Sequence, residues 1–149
     1  MDTPDDARDD ALDLDLARKV LQAQPFSALV GARLTAFGDG RAVLEVDVRD
    51  ELRQQYGVLH GGVLGYAADN AITFAAGTAA GADLITAGYS IDYLRPADGV
   101  LLRADARVVR AGRTRVVCRC DLTTVDAEGA ERPCAVAQGS VSVGAARTR

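Results

Sequence analysis

Hydrophobic and polar residues alternate with a period of two over most of the second half of the chain, and this pattern predicts β-strands. Leu102, Ala104, Ala106 and Val108 alternate with Arg103, Asp105 and Arg107. After Ala111-Gly112, Val116, Cys118, Cys120 and Leu122 alternate with Arg115, Arg119 and Asp121. A short turn joins these runs, so they pair antiparallel. The same signal appears at Leu44, Val46 and Val48 against Glu45 and Asp47, behind a Gly38-Asp39-Gly40 turn. It returns at Ala87, Tyr89, Ile91 and Tyr93 against Gly88, Ser90 and Asp92, and stops at Arg95-Pro96. A polar turn at 126–131 leads to a last strand over 134–143. Strands with one buried and one wetter face suit an antiparallel sheet.

Two stretches break this period. Leu12, Leu16 and Val20 are spaced by four, with Ala17 and Leu21 beside them, which predicts a packing helix over 12–24 ended by Pro25. Phe26 to Gly31 is expected to form a turn leading into the first strand. Residues 60–77 are apolar nearly all round (Val63, Leu64, Tyr66, Ala67, Ala68, Ala71, Ile72, Phe74, Ala75), so this second helix is expected to be buried on most sides. The class is therefore α+β, with a long central helix wrapped by an antiparallel sheet of five to six strands.

Length and charge narrow the picture further. A chain of 149 residues, 48% hydrophobic and 26% charged, has the composition of one soluble globular domain. Residues 1–11 are acidic and poor in apolar groups and read as a disordered tail, 12–144 as the single domain, and 145–149 as a second tail. A net charge of −4 argues against a general nucleic-acid or anionic-membrane binder. The longest apolar stretch is interrupted by Asp69 and Asn70 and the N-terminus lacks the basic start of a signal peptide, so no membrane partner and a cytoplasmic location are expected. The three cysteines, 118, 120 and 134, read as buried small hydrophobes rather than a disulfide framework. With a single histidine they also fall short of a zinc site, so no metal is expected.

The chemistry concentrates in residues 59–76, LHGGVLGYAADNAITFAA. Asp69 is the one charged residue between His60 and Asp83, and it has no basic neighbour at 65, 66, 72 or 73. An ionised carboxylate in an apolar helix is costly unless it is paired or used. Asp69 is thus a functional candidate. Gly61 and Gly62 follow His60, the only histidine, at the helix start, where unpaired N–H groups and the helix dipole favour a developing negative oxygen. Along one helix, Gly62 and Asp69 stand about 10 Å apart, too far to act on one carbonyl. Two protomers with these helices antiparallel about a two-fold axis would bring the Gly-Gly end of one to the Asp69 of the other. A homodimer is then required for the site.

Gln54-x-x-Gly57-x-Leu59-His60-Gly61-Gly62, a carboxylate nine residues after the histidine, and a strand ending Tyr93-Leu94-Arg95-Pro96-Ala97 resemble the hotdog-fold acyl-CoA thioesterases of the phenylacetate-pathway type, within the 4-hydroxybenzoyl-CoA thioesterase superfamily. The resemblance covers roughly residues 26–143 and implies a long helix in a curled antiparallel sheet. It implies that Asp69 is the catalytic carboxylate, as nucleophile or as general base on water. It also implies that the N–H near Gly62 polarises the thioester carbonyl beside His60, that Gln54 orients water or thioester, and that Thr86 helps position the attacking water. Gly61, Asn70, Arg95 and Arg113 are the candidate substrate-binding residues, with Arg95, Arg110, Arg113 and Arg115 placed near strand ends where coenzyme A phosphates could meet them. Expected products are the free acid and coenzyme A, with no separate cofactor, and dimers are expected to pair again. Small residues Ala67, Ala68, Ala71 and Ala75 are expected to leave room for an acyl or aryl group. The alternatives are a non-catalytic acyl-CoA-binding domain and, further off, a hotdog dehydratase.

Overall fold

The computed structural model describes residues 12–144. The stretches 1–11 and 145–149, expected as tails, lie outside the described residues. The Asp13 carboxylate accepts from the Leu16 N–H at 2.8 Å and so caps α1 (Leu14–Gln22). Ala17 and Leu21 form its buried pair, whereas Leu16 and Val20, expected to pack, remain exposed. Pro25 opens a second helix, α2 (Pro25–Val30), where a turn was expected. At the first helical position its fixed φ and missing N–H do no harm.

Strands β1 (Ala32–Gly38) and β2 (Arg41–Asp47) form the expected hairpin. Asp39 at φ 52° and Gly40 at φ 75° are the two consecutive left-handed residues that a tight two-residue turn requires. The central helix α3 (Gly61–Ala80) runs three residues beyond the expected end. There follow β3 (Leu84–Tyr93), β4 (Leu101–Ala111), β5 (Arg115–Val125) and β6 (Glu131–Val143), the last starting earlier than expected. All pairings are antiparallel in one six-stranded sheet ordered β1-β2-β4-β5-β6-β3. Register shifts at Leu34/Ala36, Thr86/Gly88, Val108/Arg110 and Leu122/Thr123 bend the strands and curl the sheet.

Helix α3 packs against every strand of this curl. Ala67, Ala68, Ala71, Ala75 and Ala76 are fully buried, so the small side chains let the sheet wrap the helix closely. They fill the core; the expectation that they leave space for an acyl group is not met. Leu102, Ala104, Ala106, Val116, Cys118, Cys120 and Leu122 face inward as their alternation implies. All three cysteines are buried and free, and burial pushes the Cys118 and Cys134 thiols up to about 11 and that of Cys120 higher still.

Strand β3 departs from its reading. Its alternation implies one buried face, yet Tyr89 and Tyr93 are 42% and 55% exposed. β3 is an edge strand with no described strand beyond it, so both tyrosines reach α3 with their hydroxyls while the rest of each side chain stays open at the edge. No helix among the described residues is long and apolar enough to cross a membrane.

Candidate active site

One row of α3, spaced by four residues, lies along the free-edge strand β3 and runs against it in direction. At its head the Tyr93 hydroxyl donates to the Gly61 carbonyl at 2.9 Å. One turn on, a β-carbon at Gly65 would lie 3.0 Å from the Tyr89 hydroxyl. Next comes Asp69, whose Oδ1 accepts from the Thr86 hydroxyl at 2.7 Å. Thr73 follows, its hydroxyl 2.8 Å from that of Thr86. The row ends at Gly77, where a β-carbon would sit 3.7 Å from Leu84. This spacing turns Asp69 toward the β3 edge of the sheet.

The carboxylate therefore ends a short chain of hydroxyls. Each threonine has one hydrogen to give. Thr86 gives its own to Asp69, so the Thr73 hydrogen goes to Thr86 or to the Asp69 carbonyl 3.0 Å away. The β3 register shift falls between Thr86 and Gly88, at the residue that makes this contact. Asp69 itself is half-buried, not enclosed in apolar surroundings as its neighbours along the sequence suggested. Thr73 was not singled out from the sequence; its position four residues after Asp69 on the same helix is the signal that marks it. Burial pushes the Tyr89 phenol up, and the charge of Asp69 adds to the effect, so this hydroxyl stays protonated beside the carboxylate.

The helix start is a second cluster. His60 is the N-cap of α3, its Nδ1 accepting from the Gly62 N–H at 2.8 Å, while its carbonyl accepts from Val63 N–H at 2.9 Å. A neutral imidazole accepting at Nδ1 carries its proton on Nε2. The N–H expected to polarise a substrate carbonyl is thus held by the histidine in the free protein. His60 and Gly62 line one groove of about 480 Å³ with Phe26, Leu29, Arg53 and Tyr66. Gly61 lines another, of about 680 Å³, with Gln54, Tyr56, Tyr93 and Arg95. The helix tip divides the two.

The remaining candidates scatter around these clusters. Gln54 shares the groove of Gly61, but its Oε1 accepts from the Tyr56 N–H and closes its own turn. Arg95 is exposed just past the end of β3; Arg113 stands in the exposed turn between β4 and β5, at the sheet end where β3 starts and with β6 between, so the two do not meet on one protomer. Asn70 is half-buried beside the Tyr66 hydroxyl and lines a cavity of about 190 Å³ with Thr73, Phe37 and Phe74. Tyr66, also not foreseen, donates to Ser27 at 2.6 Å and ties α3 to α2.

Comparison with known proteins places the fold and the family. A Saccharolobus solfataricus protein carrying a provisional esterase name is 33% identical over 88 residues, which cover 58% of this chain and 63% of the relative. The crystal structure of a thioesterase family protein from Silicibacter pomeroyi superposes with a TM-score of 0.80 at 29% identity, covering 85% of this chain and 93% of that one. The PaaI protein of the E. coli phenylacetic acid degradation operon shares the fold, with a TM-score of 0.75 at 22% identity over 85% of this chain and 89% of its own. The sequence profile of the thioesterase superfamily matches residues 56–130, a span that begins just before His60-Gly61-Gly62 and takes in Asp69, Thr73 and Thr86. The chain has the hotdog fold and belongs to the thioesterase superfamily.

Proposed function

We propose that this protein hydrolyses an acyl-CoA thioester to the free acid and coenzyme A, with Asp69 as the reacting carboxylate. The observation that carries the reading is the Thr86–Asp69 contact: one carboxylate oxygen is held by a hydroxyl at 2.7 Å, and the other is left for a reactant at the open sheet edge. That second oxygen takes a proton from water as the water attacks the carbonyl carbon, or attacks the carbonyl itself and is released by water afterwards. On either route the C–S bond breaks and the sulfur leaves as coenzyme A thiolate. The oxyanion formed on attack takes the Gly62 N–H from His60.

The partner's helix tip supplies that donor. About 10 Å separates Gly62 from Asp69 on one helix, so the site forms between protomers. An uncovered β3 edge next to Asp69 supports pairing there, because an exposed strand edge invites a second copy. Gln54 and Arg95, in the groove beside Gly61, then face the thioester and its phosphorylated carrier.

Subunit mixing tests both parts together. Asp69→Asn and Gly62→Val proteins, each inactive alone in a thiol-release assay, regain about one quarter of wild-type turnover when unfolded and refolded as an equal mixture, because half the dimers then hold one intact site of two. Lack of recovery rules out a shared site. Wild-type protein that binds acyl-CoA without releasing thiol rules out hydrolysis.

A further inference from the structure

The two glycines at the helix tip are not there for backbone conformation. Neither has a φ in the left-handed region, where glycine is otherwise favoured. Their missing side chains have a different use. A β-carbon on Gly61 would lie 3.0 Å from the Tyr93 hydroxyl, and one on Gly62 would lie 2.9 Å from the His60 Nδ1. Both contacts end on the same peptide unit. Tyr93 donates to its oxygen, the Gly61 carbonyl, at 2.9 Å; its N–H, that of Gly62, donates to His60 at 2.8 Å. The unit is clamped at both ends.

Within the single chain Tyr93 is exposed, and the contact that ties it to the helix is polar, made by its hydroxyl. It is the last residue of β3 and so belongs to the sheet, while the peptide it grips belongs to the helix. A hydrogen bond into a peptide oxygen draws charge toward that oxygen and makes the N–H on the other side a stronger donor. It also stops the plane from rotating.

We propose that Tyr93 is a positioning residue of the reaction: its hydroxyl sets the plane and polarity of the Gly61–Gly62 peptide so that the Gly62 N–H is aimed and strengthened as oxyanion donor. This rests on the thioesterase reading above and adds a residue to it. Tyr93 gives its side-chain hydrogen bond to the Gly61 carbonyl, not to the Asp69 carboxylate. It acts through the peptide, and His60 holds the other end until a carbonyl oxygen takes its place.

The test is Tyr93→Phe, which removes one oxygen and keeps the ring. Two readouts are taken: steady-state thiol release, and the amide proton shift of Gly62 in protein labelled with nitrogen-15 glycine. We expect kcat to fall about three- to tenfold, the span of one neutral hydrogen bond, with KM little changed. The Gly62 amide proton moves upfield as its polarisation is lost. A purely structural tyrosine would lower the melting temperature and leave both the Gly62 resonance and kcat of the folded fraction alone; that result overturns the proposal. A fall in kcat without movement of Gly62 overturns it too. Wild-type protein with no thiol release, together with a Gly62 shift on substitution, would sink the thioesterase reading and the catalytic role of the clamp while leaving the hydrogen bond itself demonstrated.

Discussion

Thr86 gives its hydroxyl hydrogen to Oδ1 of Asp69 across 2.7 Å, joining the edge strand to the middle of the central helix at the one charged residue of that helix. Asp69→Asn keeps the size of the side chain and an acceptor for Thr86 but removes the negative charge. Thiol release is expected to fall at least a thousandfold with the circular dichroism spectrum unchanged, on the order of what loss of a reacting group costs. Residual turnover within tenfold of wild type would show that the carboxylate does not react.

The hydroxyl chain predicts coupled effects. Thr86→Val should lower kcat about ten- to a hundredfold, since a charge-assisted hydrogen bond carries roughly 1.5–3 kcal/mol. Thr73→Val acts through Thr86 and should cost less. Because both lie on one chain of contacts, the double variant should lose less than the product of the two single losses. Independent multiplication of the losses would mean that Thr73 does not act through Thr86.

The uncovered β3 edge predicts an association that charge can weaken. Ser90 is exposed on that strand, and Ser90→Lys would set two ammonium groups near each other if the edges of two protomers pair about a two-fold axis. Sedimentation should show a wild-type dimer or larger and a variant that dissociates at micromolar concentration, with turnover per chain falling on dilution. An assembly unaffected by the lysine would place the interface elsewhere.

The thiols predict silence in the assay that matters most. Cys118 and Cys134 hold their protons up to about 11 against an ordinary value of 9.0, because burial disfavours the thiolate. Ellman's reagent should therefore count almost no protein thiol in the native state near pH 8 and all three after unfolding. The sign for stability follows. Folded thiols bind protons more tightly than unfolded ones, so their contribution is intact below about 9 and declines as pH rises through about 11. Denaturant midpoints at pH 8 and pH 10.5 measure this decline, and equal midpoints would contradict it.

Strands β4 and β5 were legible because each is central to the sheet, with one face on the core, so Leu102 to Leu122 carry the period-two signal undiluted. Tyr89 and Tyr93 carry the same signal and do face α3, but at an edge strand the alternation does not report how far the inner face is covered. Pro25 was read as a stop because a proline ends a helix before it as readily as it starts one after it. At the site, Asp69 stood out by its isolation in sequence. Thr73, Tyr66 and the hold of Tyr93 on Gly61 did not, because hydroxyl groups leave no periodic trace and their partners lie up to 39 residues away. The glycines were read as a helix start with free N–H groups; in the single chain a tyrosine hydroxyl and an imidazole stand where their side chains would be.

The glycines of α3 also set the terms on which this protein can be made hardier. Replacing an interior helical glycine by alanine commonly gains about 0.5–1 kcal/mol, which makes such positions the first targets of anyone seeking heat resistance. Here the targets are not equivalent. Alanine at Gly77 would meet only Leu84 at an ordinary 3.7 Å, whereas at Gly61, Gly62 or Gly65 it would press on Tyr93, His60 or Tyr89 at 3.0 Å or less. Durability and turnover thus compete at one end of a single helix and are free of each other at its opposite end.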